Sequence, residues 1–136
     1  MKRILAAALL SFMLYSCADT KKQEETLLNE VIAVHDKVMA KDEQIMKNKM
    51  KLDTLIKENK KPELTPVATE LRTKLDSADA KMENWMHKFD AENKGKKHDE
   101  IMTYLTGQKT EIEAIDKNFD ASITAASEFL KQNNLK

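Results

Sequence analysis

The sequence predicts an all-α fold, an up-down-up antiparallel three-helix bundle, and three observations carry that prediction. Composition comes first: of 136 residues, 34% are charged and only 5% aromatic, with two glycines and two prolines. Strand-rich folds need more turn-forming and aromatic material than this, whereas Lys, Glu, Ala, Leu and Met favour helix. Apolar periodicity is the second observation, with three long segments that place their apolar residues every three or four positions. The third is the shortness of the two connections, which makes successive helices run antiparallel.

In chain order, Met1-Lys2-Arg3 is a positive start followed by an apolar stretch from Ile4 to Leu14. That stretch is too short to span a bilayer, which takes ~20 residues, and fits the core of a secretory signal peptide. Leu14-Tyr15-Ser16-Cys17 then resembles a bacterial lipobox, with Tyr15 bulkier than the usual spacer. Residues 1–16 are therefore expected to be a lipoprotein signal peptide, and Cys17 the lipidated residue. As the only cysteine, Cys17 excludes an internal disulfide and any site built on several thiolates. The acyl chains would hold the protein on a membrane of the cell envelope, since no later segment is apolar enough to span. Residues 17–25 read as lipidated cysteine and polar tether. Lys22 to Glu25 loosely resembles the charged signal that sends some lipoproteins of the Bacteroidota to the cell surface, and reads equally well as a solvated linker.

The bundle is expected over residues 26–136, with helices at about 24–59, 66–94 and 99–132. The first carries two neighbouring seven-residue columns, Val31, Val38, Ile45 and Leu52 beside Ile32, Met39 and Met46. Pro62 stops it near Asn59. The second starts at Thr65-Pro66, read as N-cap and first helical proline, and runs through Ala68, Leu71, Leu75, Ala78, Met82, Trp85 and Phe89. Gly95 is its expected stop. The third starts at Asp99, with an apolar stripe from Ile101 through Leu105, Ile112, Ile115 and Phe119 to Phe129. Gly107 inside it suggests a bend or a close approach.

Charge excludes more than it identifies. With 23 basic and 23 acidic residues the formal net charge is zero, so no basic face for nucleic acid is expected. Two glycines cannot build a phosphate loop. Carboxylates are spread at lysine-pairing helical spacing, and Ser122 and Ser127 lie far from any histidine, so no catalytic constellation and no enzyme are expected.

The one candidate site is a histidine–methionine set. His35 sits on the first helix's apolar face, Met39 is four residues on, and His98 and Met102 repeat that spacing. Antiparallel packing is expected to gather His35, Met39, Met86, His98 and Met102 near one end of the bundle, with His87 close by. Imidazole and thioether together suit copper(I) and also axial haem ligation. The alternative is structural, with methionine as a flexible core filler and His35 bonded to Asp42, Gln108 or a helix end. The same stripes, on helices of unequal length, should leave an apolar strip for an envelope partner or for self-association.

Behind the lipobox, the segments VIAVHDKVM (31–39), ENWMHKF (83–89) and MTYLTGQKTEI (102–112) resemble a group of small helical lipoproteins of the Bacteroidota. Some of these carry the label "viral A-type inclusion protein". The resemblance implies an envelope lipoprotein of a group with no established activity, and supplies no functional residues to carry over.

Overall fold

A computed structural model describes the backbone of residues 2–134 and the side chains of residues 19–134. The described chain is helical, with no strand among the described residues. Helix α1 runs Lys2–Met39, α2 Asp42–Glu58, α3 Thr65–Lys88 and α4 His98–Gln132, with a 3₁₀ turn at Pro62–Leu64. The apolar stretch from Ile4 and the lipidation candidate Cys17 have helical backbone within α1, but their side chains lie outside the described residues.

The single helix expected over 24–59 is divided between α1 and α2. At Ala40 and Lys41 the backbone tightens, Lys41 N–H bonding to Val38 O at 2.9 Å, three residues back instead of four. The apolar phase survives the turn, because Val31, Val38, Ile45 and Leu52 are all 0% exposed. The neighbouring column behaves otherwise: Ile32, Met39 and Met46 remain 39%, 40% and 45% exposed. The segment expected as a free tether is also helical, and Glu24 at its end bonds to His98.

Helix α2 closes on Asn59, whose φ of 46° is left-handed and whose N–H bonds to Leu55 O. Helix α3 begins at Thr65 itself, with Leu64 as the capping position, so Pro66 falls inside the first turn, where its missing N–H costs no helical bond. It buries Ala68, Leu71, Leu75, Ala78, Met82 and Trp85, as their spacing requires. It stops at Lys88, short of the expected Gly95, because Phe89 turns extended. The loop beyond is folded around Asp90. The Asp90 carboxylate accepts from Glu92 N–H and Asn93 N–H and pairs with Lys96 Nζ at 2.9 Å. Gly95, at φ 78°, serves a turn in that loop rather than a helix end. Helix α4 starts one residue early at His98, and the Glu100 carboxylate accepts from Lys97 N–H, half of a capping box. Gly107 lies within the continuous helix α4 and makes no close approach, since nothing lies within 4 Å of a Cβ built on it.

Polar pairs set the register between helices. Lys41 reaches Asp116, Asn48 reaches Ser127 and Lys61 reaches Asn133 O, so residue numbers rise together along α2 and α4. Lys49 reaches Asp79 while Arg72 reaches Asp53, so numbers fall along α3 as they rise along α2.

Candidate functional site

His35 is held on α1 with its ring against α3. Its centroid lies 6.0 Å from that of Trp85, which stacks on Phe89 at 4.7 Å, and Phe89 lies 6.3 Å from Tyr104. Lys96 Nζ sits 4.3 Å over the Tyr104 ring and closes the series. The Tyr104 hydroxyl accepts from Asp90 N–H at 2.7 Å, tying the far end of the stack to the α3–α4 loop. His35 Nδ1 lies 2.9 Å from Asp36 Oδ1. The carboxylate is thus the next residue in the chain, and not the expected Asp42 or Gln108.

Two grooves run between α1–α2 and α3 beside this stack. One, of about 380 Å³, is lined by Ile32, His35, Asp36, Trp85, Met86 and Phe89. The next, of about 530 Å³, includes Met39, Met82 and Met86 among its walls, with Asp42 and Glu83. Met86 lines both, so the two grooves adjoin along α3 and are taken together as one trough. Trp85 is buried, and its Nε1–H has no hydrogen-bond partner.

Of the five metal-ligand candidates, His35, Met39 and Met86 therefore lie along one trough. His98 and Met102 do not join them. His98 Nδ1 lies 2.8 Å from Glu24 Oε1, and Glu24 precedes His35 by eleven residues on the same helix, about 16 Å of helical rise. His87 is exposed, 3.8 Å from Glu83. Among the described residues, no group of three or more His, Cys, Asp or Glu side chains is placed to hold a metal ion.

Two ionic clamps flank α2, and neither was visible in the sequence. On the α4 side, Asp116 accepts from Lys37 Nζ at 2.6 Å and from Lys41 Nζ at 2.5 Å, and Lys41 also reaches Asp120. Burial by itself raises the Asp116 carboxyl, but the two lysine hydrogen bonds and charges outweigh it and hold it below the usual range. Burial likewise works against the Lys41 ammonium, which Asp116 and Asp120 nevertheless hold above its ordinary value. On the α3 side, Lys49 pairs with Asp76 at 2.9 Å and Asp79 at 3.0 Å, while Arg72 holds Asp53 and Asp76. Asp116 directly follows Ile115 and lies four residues from Ile112, and that position was the only signal that a carboxylate would be half in the core.

Among the described residues no helix is long and apolar enough to cross a membrane. Comparison with family models, curated proteins and solved structures finds no match to this chain.

Proposed function

We propose that the chain is a lipid-anchored protein of the cell envelope, an up-down-up three-helix bundle that serves as a non-enzymatic interaction module. The observation that carries this reading is the exposed column Ile32, Met39 and Met46, three apolar side chains at seven-residue spacing that solvent reaches. Single exposed apolar residues are ordinary; a row of them at helix-pairing spacing is what a partner helix covers. The lipobox-like Leu14–Cys17 and the likeness to small helical lipoproteins of the Bacteroidota support the anchor. Growth with a clickable palmitate analogue tests it, with label expected on the wild-type chain and absent from Cys17→Ala. Crosslinking in native membranes from a photoreactive residue at Met46 tests the partner, with a discrete adduct expected. An unlabelled chain would remove the anchor, and a chain that crosslinks to nothing would remove the module.

A soft-metal reading retains one favourable observation, that Met39, Met82 and Met86 line a single cavity. Thioethers suit copper(I). A metal-free sample titrated with copper(I) under reducing conditions tests it, and binding weaker than micromolar would end it. The separation of His35 from His98 speaks against haem held between the two.

A further inference from the structure

We infer that the trough between α1–α2 and α3 is a docking site for a basic amphipathic helix of a partner protein. This rests on the reading as an interaction module and names the chemistry of the partner.

The floor comes first. Ile32, Met39 and Met86 are each about two-fifths exposed, and buried Met82 and Trp85 lie beneath them. Methionine is unbranched and polarizable, so a methionine floor can mould itself to the apolar face of a helix without one fixed shape. Along α1–α2 the lining of the two grooves runs from Ile32 to Lys49, seventeen residues, a length of about 25 Å. A helix of five turns fits that length, in the helix-in-groove manner.

The rim settles the sign of the partner. Of the carboxylates that line the two grooves, Asp76 and Asp79 are paired with Lys49 and Arg72, which leaves Asp36, Asp42 and Glu83 as the negative rim. Asp42 has no ion pair among the described residues, and Glu83 has only the exposed His87 at 3.8 Å. A local excess of this size in a chain whose formal net charge is zero is an asymmetry of the surface, not of the composition. It attracts cationic side chains and repels anionic lipid. A second copy of this chain is the wrong occupant: a two-fold pairing through this face would set one acidic rim against the other. A helix with leucine or methionine on one face and lysine or arginine at its borders matches floor and rim together.

Trp85 makes the test direct, because it is the only tryptophan and lines the trough. The full chain is placed in phosphatidylcholine vesicles and titrated with a peptide of about eighteen residues containing only leucine and lysine at amphipathic spacing. Its counterpart has glutamate for lysine. The lysine peptide is expected to shift Trp85 emission saturably, and the glutamate peptide to leave it unchanged. Asp42→Lys with Glu83→Lys should weaken the lysine peptide at least about tenfold. Both positions are exposed, and unchanged circular dichroism would establish that the variant stays folded. Met39→Glu should weaken it as well, through the floor instead of the rim. Equal response to both peptides, no response to either, or a double variant that binds as wild type would overturn the inference. So would Trp85 emission that depends on protein density without peptide, which would give the face to a second copy. Acylation of Cys17 is read separately by the palmitate label, so failure of the anchor leaves the peptide result standing, and failure of peptide binding leaves the anchor standing.

Discussion

Removing Asp116 should cost this protein more than removing any other carboxylate. Asp116 keeps 11% of its side-chain surface exposed and Lys41 keeps 19%, whereas Lys37 keeps 60% and Asp120 56%. The Lys37 pair is therefore screened and adds little, of order 0–1 kcal/mol. The Lys41 pair is the one that matters. Breaking a buried pair by deleting one partner costs about 3–5 kcal/mol, because the other charge is left stranded. Here Asp120 still reaches Lys41, so Asp116→Ala should cost about 2–3 kcal/mol. Urea unfolding followed by Trp85 emission and by circular dichroism measures this, with the midpoint expected to fall at unchanged slope. A double-mutant cycle with Lys41→Met should return about 1–2 kcal/mol of coupling.

The pH dependence supplies an independent check. The Asp116 carboxyl is held below its ordinary value in the fold. Its contribution is therefore fully present above the unfolded value of about 3.9 and is lost as pH falls through the lower folded value. The stability gap between wild type and Asp116→Ala should be constant from about pH 5 to 8 and narrow below about pH 4. A cost under about 0.5 kcal/mol, coupling near zero, or a gap unchanged in acid would refute the account of a buried clamp.

Three further outcomes follow from single residues. Gly107→Ala should stabilise the protein by about 0.5–1 kcal/mol, measured in the same urea titration, because α4 is helical there and the new methyl meets nothing. Asn48→Ala should cost about 1–2 kcal/mol, since Asn48 is buried, donates to Ser127 Oγ at 2.9 Å and accepts from Gln44 at 3.0 Å; pairing it with Ser127→Ala tests whether that bond is the source. Met39→Gln should change thermal stability by less than about 0.5 kcal/mol, as a solvent-facing side chain, and yet abolish the adduct formed in membranes from the photoreactive residue at Met46.

Much of this architecture was legible in the heptads. Val31, Val38, Ile45 and Leu52 announce a buried column, and the alternating three-and-four spacing from Ala68 to Trp85 announces a second helix against it. What the heptads could not give is the register. A seven-residue column matches itself after a slide of one repeat, about 10 Å, so apolar spacing leaves several alignments nearly equal. Polar pairs choose among them: Glu24 with His98, Glu30 with Lys109, Lys41 with Asp116. Such pairs join residues more than seventy positions apart, and nothing local marks them. That is why the expected gathering of His35 with His98 does not occur while the helices that carry them were foreseen. The loop from Phe89 to Lys97 adds to the displacement, since Asp90 folds it into a compact turn where the sequence suggested nearly two more turns of α3.

The two columns on the long N-terminal rod make the functional argument sharper than either does alone. Residues 31, 38, 45 and 52 are wholly buried, and adjacent residues 32, 39 and 46 keep about two-fifths of their surface in solvent. Three helices enclose one seam per helix, so a second apolar column on the same rod is not needed to close this core. Nor is the row a consequence of generally apolar surface, because the position four residues past Ile32 is Asp36 and the one four past Met39 is Glu43, both solvated acids. Apolar side chains facing water at a strict repeat, bordered by carboxylates, do nothing for the isolated fold. They gain free energy only when something apolar and cationic lies on them, and the trough through Met39 and Met86 is where it would lie.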